Sequence, residues 1–281
     1  YTIRIECPEI LGPPSNVDTG QHMSTPLTVD QVEQFRRDGY LVVESLFDPE
    51  EARRVLEISH LDPEIAAEAK DNENYEGDGV ATRLVYRPSL GDNAYSALAA
   101  SKRLVAPMEQ IYSSTMCHYY TLNMLKDPGT GGWAWHQDYG YHYKEFFYPD
   151  YISVMVALDP ATAENGCLRV VKGSNRLGRL EHSGLGSQLI ANRDRVDLAL
   201  EQMEEITCEL SPGSVLYFDG NILHASHQNH SQQSRWSLVI SYVPASNVWV
   251  REELSTITRI DPLDDAAMEA AITRHEASVR K

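Results

Sequence analysis

Residues 135–138 read Trp-His-Gln-Asp, and residues 218–224 read Phe-Asp-Gly-Asn-Ile-Leu-His. Side chains two apart on a β-strand point to the same face, so His136 and Asp138 are predicted to project together. His224, on a strand that returns beside the first, supplies a third group. Two imidazoles and one carboxylate form the facial triad that is typical of non-haem Fe(II) oxygenases and leaves the other coordination positions open. An isolated His-x-Asp pair is more often structural, so the triad needs support from its neighbours.

Both stretches belong to a β-rich block. Short segments rich in β-branched and aromatic residues alternate there with turn pairs such as Asn165-Gly166 and Pro212-Gly213. The predicted strands are 116–126, 133–138, 151–158, 167–171, 205–210, 214–218, 222–228 and 235–243. About eight short strands in roughly 130 residues favour a mainly β fold with flanking helices, the double-stranded β-helix (jelly roll, cupin-like), over a parallel α/β sheet.

The rest of the chain adds helices to this block. We predict a single domain over residues 23–281, with a helical N-terminal part (23–114), the β-helix core (115–245) and a C-terminal extension with a helix (246–281). The C-terminal helix is predicted to open at Asp261-Pro262. Residues 1–22 lack the features of a signal peptide, and His22-Met23 resembles a cloning site, so this leader is predicted to be vector-derived or disordered.

Arg235 supports the triad. It heads the apolar strand Arg-Trp-Ser-Leu-Val-Ile-Ser, 11 residues after His224. Burying an unpaired guanidinium is unfavourable, so this side chain needs an anionic partner. Its planar fork suits the far carboxylate of a dicarboxylate such as 2-oxoglutarate, and the alternative is a salt bridge to one of the chain's many acids. Ser226, two residues after His224, is predicted to place a hydroxyl on the ligand's face.

Several motifs in the same order resemble the phytanoyl-CoA dioxygenase family over roughly residues 28–245. They are Phe35-Arg-Arg-Asp-Gly-Tyr-Leu-Val-Val43, Trp135-His-Gln-Asp138, Glu164-Asn-Gly-Cys-Leu168, Lys172-Gly-Ser174, Pro212-Gly-Ser214 and His224-Ala-Ser-His-Gln-Asn229 followed by Arg235. The ordered set is much more specific than any one of its members.

The resemblance implies a double-stranded β-helix with Fe(II) as cofactor and 2-oxoglutarate and O2 as co-substrates, releasing succinate and CO2. Position by position, the metal ligands are His136, Asp138 and His224, and the 2-oxoglutarate contacts are Arg235, Ser226, Lys126, Leu122 and Met155. Halogenating relatives carry a small residue in place of the carboxylate. Asp138 therefore predicts hydroxylation of a C–H bond, or a related oxidation such as desaturation or ring closure.

The substrate is expected to be a small molecule. Candidate pocket residues are Tyr120, Asn123, Trp135, Tyr139, Tyr141, His142 and Asn221. The many aromatic residues near the triad either form a box for an amine or pack a lid and the core. A CoA ester is disfavoured because its phosphates need a basic entrance, for which the chain offers little material.

Charge and cysteine usage exclude other classes. The chain has 24 basic and 41 acidic residues and a formal net charge of −17, which disfavours nucleic-acid binding. No apolar run is long enough to cross a membrane. Four scattered cysteines without a CxxC pair fit a reducing cytoplasm. Two rival functions stay open: a β-helix metal-binding protein, and a cupin-type isomerase or hydrolase that does not use 2-oxoglutarate.

Overall fold

The computed structural model describes residues 26–72, 79–185, 188–250 and 257–281. The predicted leader, residues 1–22, lies outside them. The strands of the described residues are β1 (Tyr40–Val43), β2 (Lys70–Asn72), β3 (Thr82–Arg87), β4 (Met116–Lys126), β5 (Trp133–His136), β6 (Ile152–Ala157), β7 (Leu168–Val171), β8 (His182–Leu185), β9 (Gln188–Ala191), β10 (Glu205–Cys208), β11 (Val215–Asp219), β12 (His224–Ser226), β13 (Arg235–Pro244) and β14 (Thr258–Arg259).

The helices begin where the sequence supplies caps. They are α1 (Val29–Asp38), α2 (Pro49–Leu61), α3 (Pro63–Glu68), α4 (Ala94–Ala99), α5 (Lys102–Tyr112), α6 (Asp138–His142), α7 (Arg193–Gln202) and α8 (Asp265–Val279). Thr28 with Gln31, and Asp48 with Glu51, form capping boxes at the starts of α1 and α2. The C-terminal helix begins at Asp265, capped by Asp264, so the predicted start at Asp261 was too early.

Two antiparallel sheets make up the β core. The larger sheet has the order β1-β11-β6-β13-β4-β3-β2, with β14 beside β4, and the smaller has the order β10-β7-β12-β5. β8 and β9 form a separate hairpin. The mainly β prediction with flanking helices is confirmed, while α7 and the β8–β9 hairpin were not predicted.

Helices cover the outer face of the larger sheet. Side chains from α1, α2, α4, α5 and α8 share one apolar core with outward-facing residues of β4, β6, β11 and β13. All six residues of β6 are buried because the sheet is covered on both faces. The inner face of the larger sheet lies towards the smaller sheet. Successive residues along each strand therefore point alternately to the helices and to the smaller sheet. Within the described part of the chain, no helix is long and apolar enough to span a bilayer.

Gly213 closes the turn into β11. Its φ is +83°, and an added Cβ would lie 2.2 Å from the carbonyl oxygen of Phe47. Gly129 has a similar φ of +80° with nothing within 4 Å of the added Cβ, so it is a matched control. We expect Gly129→Ala to cost about 1–2 kcal/mol from backbone strain and Gly213→Ala about 2–5 kcal/mol because steric overlap is added. Urea unfolding of both variants tests this, and equal losses would contradict the role of the contact.

Candidate active site

The three predicted metal ligands converge between two strands and a short helix. His136 on β5 and His224 on β12 are directly opposite in an antiparallel pair, with ring centroids 4.1 Å apart. Asp138 is the first residue of α6, and its Oδ1 lies 3.6 Å from His136 Nε2 and 3.4 Å from His224 Nε2. The three candidate ligand atoms all lie within 4.8 Å of one another, so one ion can contact all three.

Asp138 reaches the histidines through a turn and not through strand alternation. β5 ends at His136, and Gln137 occupies the N-terminal cap position of α6. The buried Gln137 side chain holds this turn, donating to two backbone carbonyls at 2.8 and 2.5 Å and accepting from a backbone N–H at 2.7 Å. The predicted strand 133–138 was therefore two residues too long, although its two ligands do meet.

Backbone carbonyls orient both imidazoles. His136 Nδ1 lies 2.7 Å from the carbonyl of Ala134, and His224 Nδ1 lies 3.1 Å from the carbonyl of Ile222. A proton on each Nδ1 leaves the Nε2 lone pair directed at the site, which is the tautomer that a metal ligand requires. Burial, followed by the neighbouring His224, lowers the pKa of His136 and favours its neutral form.

Asp138 is ionised despite its burial. Removal from water alone would raise its pKa, but the imidazoles of His224 and His136 hold the pKa of this carboxyl well below its usual value. The site therefore combines one carboxylate oxygen donor with two imidazole nitrogen donors. This donor set suits a divalent iron ion.

The triad opens onto a cavity of about 200 Å³. The predicted site residues on its wall are His136, Asp138, His224, Arg235, Ser226, Leu122, Met155, Tyr120, Tyr141 and His142. The remaining wall residues are Asn72, Met124, Trp133, Leu168, Phe218, Ser237 and Val239. The metal ligands, most of the predicted 2-oxoglutarate contacts and part of the predicted substrate pocket thus share one space.

Arg235 enters this cavity without an acidic partner. Its side chain is only 3% exposed, Nη1 contacts Met155 Sδ at 3.6 Å, and Nε has no hydrogen-bond partner. In the described ranges no Asp or Glu forms an ion pair with it, so the alternative of a structural salt bridge finds no partner among those residues. Burial lowers the pKa of Arg235 to about 10, so the guanidinium stays charged at neutral pH. A buried cation with an unpaired N–H fits an anionic ligand.

Ser226 and Lys126 lie beside Arg235. Ser226 Oγ accepts from Lys126 Nζ and from Trp133 N–H, both at 3.3 Å, which leaves its own proton free to be donated elsewhere. Lys126 is fully buried, pairs with Arg235 across β4 and β13, and also donates to the Gly131 carbonyl at 2.9 Å. Lys126 is not among the residues that line the cavity, and its ammonium group is connected to the wall through the Ser226 hydroxyl.

Comparison with known proteins decides the family. The sequence profile of the phytanoyl-CoA dioxygenase (PhyH) family matches residues 35–237. The chain belongs to the phytanoyl-CoA dioxygenase family. The L-proline trans-4-hydroxylase of Streptomyces griseoviridis is 27% identical, covering 80% of this chain and 89% of that protein. The ectoine dioxygenase of Stutzerimonas stutzeri is 28% identical, covering 80% and 79%.

A solved structure confirms the fold. Iron-bound EctD from S. alaskensis superposes with a TM-score of 0.70 at 20% identity, covering 88% of this chain and 90% of that chain. The double-stranded β-helix prediction is therefore confirmed. Family membership and the His-Asp-His site identify the chain as a non-haem iron dioxygenase that uses 2-oxoglutarate and O2.

Three of the predicted substrate-pocket residues lie on the wall of this dioxygenase cavity. They are Tyr120, Tyr141 and His142. The Tyr141 hydroxyl is fixed between the N–H and the carbonyl of Leu189, at 2.8 and 2.9 Å, and burial raises its pKa to about 12. His142 Nδ1 lies 2.8 Å from a Glu145 carboxylate oxygen, so the acid orients the ring.

The other four candidates lie off the wall. Asn123 alternates with Leu122 on β4, faces outwards and accepts from Arg87 Nε at 2.8 Å. Trp135 precedes His136 and points away from the cavity, with the Arg169 guanidinium 5.0 Å above its ring. The Tyr139 hydroxyl donates to the Phe146 carbonyl at 3.2 Å within a separate apolar cluster. The backbone carbonyl of Asn221 accepts from the Gln137 side chain, and its backbone N–H donates to Asp219 Oδ1.

A β-bulge brings an unpredicted tryptophan to the cavity. β12 pairs His224 with His136 and Ser226 with Trp133, so three residue steps on β5 oppose two on β12. Trp133 and His136 consequently share the inner face, which strict alternation forbids. The Trp133 indole N–H is buried without a partner, as are Asn72 Nδ2 and Ser237 Oγ on the same wall. The unpaired indole N–H marks Trp133 only once the structure is known, because the sequence alone does not reveal the bulge.

Proposed function

We propose that this dioxygenase hydroxylates an unactivated C–H bond of a small-molecule metabolite, with iron bound by His136, Asp138 and His224. Arg235 and Ser226 bind the far carboxylate of 2-oxoglutarate. The observation that carries the proposal is Arg235, a buried guanidinium without an acidic partner that faces the same cavity as the triad. Bound iron and 2-oxoglutarate supply the oxidation, in which O2 is consumed and succinate and CO2 are released.

The residues of the chain prepare the site for that chemistry. Two backbone carbonyls hold the histidines in the tautomer that binds metal. Leu122, Met155 and Val239 supply apolar wall around the co-substrate and exclude water from it. The Asp138 carboxylate occupies the position that a halogenating site leaves to chloride, which supports hydroxylation or a related oxidation.

The cavity supports a compact substrate and not a CoA ester. Its volume of about 200 Å³ must also accommodate the co-substrate. Among the described residues that line the cavity, Arg235 is the one basic side chain. The wall therefore offers no basic cluster to bind the phosphates of CoA. The proline and ectoine enzymes among the relatives are named for small substrates.

The unpaired donors indicate part of the substrate's chemistry. The Trp133 indole N–H and Asn72 Nδ2 are both buried without a partner, and each costs about 1–3 kcal/mol if it stays unsatisfied. We therefore propose that the substrate carries an acceptor oxygen, such as a carbonyl or carboxylate, that meets these groups. The free thiols Cys117, Cys167 and Cys208 support the proposed cytoplasmic location.

A screen of metabolites for stimulated succinate release tests the function. The purified protein, Fe(II) and 2-oxoglutarate are incubated in air with single compounds, including amines, amino acids and CoA esters. We expect a compact polar compound to raise succinate release, with one hydroxylated product formed per succinate. Stimulation confined to CoA esters would contradict the proposed substrate class. The two rival functions predict no release of succinate from 2-oxoglutarate under any condition.

A further inference from the structure

A buried serine contacts the metal-binding carboxylate from the side opposite the histidines. Ser153 on β6 is 0% exposed, and its hydroxyl donates to Asp138 Oδ2. The other carboxylate oxygen, Oδ1, is the one that faces His136 Nε2 and His224 Nε2. The two oxygens of Asp138 therefore have different environments, and only Oδ1 is directed at the metal position.

The position of Ser153 in the sheet explains this contact. Ser153 and Met155 are two apart on β6, so both face inwards, and Met155 lies on the cavity wall. Ser241 is the direct cross-strand partner of Ser153 on β13, with the two hydroxyl oxygens 3.3 Å apart. A hydroxyl within the apolar run of β6 is unfavourable unless it is hydrogen-bonded. The partners that it finds are a metal-ligand carboxylate and Ser241.

We propose that Ser153 is a positioning residue that holds Asp138 Oδ2 and so makes Asp138 bind the metal through one oxygen. This inference rests on the proposed function, because binding through one oxygen matters only if the metal must also bind 2-oxoglutarate and O2. A six-coordinate ion held by two histidines and one carboxylate oxygen would keep three positions open, which 2-oxoglutarate and O2 would share. A carboxylate that bound through both oxygens would remove one of the three.

The proposal is tested with Co(II), whose visible absorption reports coordination number without turnover. Wild type and Ser153→Ala are titrated with Co(II) and then with 2-oxoglutarate. We expect the Co(II) affinity of Ser153→Ala to be about 10–100-fold weaker, the usual effect of removing a group that orients a ligand. We also expect its Co(II) spectrum to differ from that of wild type and its response to 2-oxoglutarate to require a higher concentration.

Two further variants separate positioning from a general packing defect. Ser59→Ala removes another buried hydroxyl, one that donates to the Val55 carbonyl far from the site, and we expect its Co(II) spectrum and affinity to equal those of wild type. Ser153→Cys keeps the volume and a weak donor if Ser153→Ala does not fold, and we expect intermediate values. Wild-type Co(II) affinity and spectrum in the folded Ser153 variants would overturn the proposal.

The proposed function fails by a different result. If wild type binds Co(II) but its spectrum does not respond to 2-oxoglutarate, the co-substrate role is wrong. The affinity and spectrum of Ser153→Ala with Co(II) alone still decide whether Ser153 orients Asp138. Absence of Co(II) binding by wild type would contradict both.

Discussion

His224→Ala is expected to lower iron affinity by more than about 100-fold and to abolish 2-oxoglutarate turnover. Loss of a group that merely orients a ligand already costs about 10–100-fold, and loss of the ligand itself costs more. His224 is fixed by its pairing with His136 and by the Ile222 carbonyl. Among the described residues, no other His, Cys, Asp or Glu clusters with His136 and Asp138, so none of them is placed to replace it. Metal content after dialysis against Fe(II), together with succinate release, measures both effects.

The matched control for this variant is His227→Ala. His227 follows the ligand by three residues, is exposed and does not line the cavity. We expect this variant to keep the iron content and turnover of wild type. Loss of iron from His227→Ala with retention in His224→Ala would show that the triad has been assigned to the wrong histidine.

Arg235→Ala is expected to raise the 2-oxoglutarate concentration for half-maximal turnover by at least about 30-fold while iron binding persists. Truncating one partner of a buried, hydrogen-bonded charge pair costs about 2–5 kcal/mol, and 2 kcal/mol is a factor of about 30. Arg235→Lys keeps the charge but loses the planar fork, so an intermediate value is expected. Succinate release measured over a range of 2-oxoglutarate concentrations gives the concentration for half-maximal turnover of each variant.

Arg169→Ala controls for the loss of a buried guanidinium. Arg169 is also buried, but it pairs with Glu205 at 2.9 Å, stacks on Trp135 and does not line the cavity. We expect its requirement for 2-oxoglutarate to stay within about twofold of wild type, because no cavity contact is lost. An unchanged requirement in Arg235→Ala, or an equal increase in both variants, would remove the role assigned to Arg235.

The strands that carry the site were predictable because their patterns are local. The apolar run after Arg235 indicates a buried strand from local composition alone, whereas the pocket position of Leu122 was predicted from the resemblance to the family. The capping boxes at Thr28 and Asp48 likewise act within one turn. The three candidate metal ligands were predictable because few kinds of site combine two histidines with one carboxylate.

The rest depends on tertiary contacts that one sequence does not display. Asp138 meets His136 through a helix start held by Gln137, so the clustering of the two side chains was predicted for a partly wrong geometrical reason. Trp133 faces the cavity because its strand β5 has a bulge where it pairs with β12, whereas Trp135 points away because it alternates with His136. Asn123 was a candidate pocket residue because it is polar, but it lies on the outward face of β4 and contacts Arg87 instead.

The visible spectrum of the protein with Fe(II) and 2-oxoglutarate in the absence of oxygen tests the central claim most directly. 2-Oxoglutarate that chelates a facial-triad iron gives a weak charge-transfer band. We predict this band in wild type, its absence in His224→Ala, and its recovery in Arg235→Ala at raised 2-oxoglutarate concentration. A wild-type protein that binds iron but develops no band on addition of 2-oxoglutarate would contradict the account.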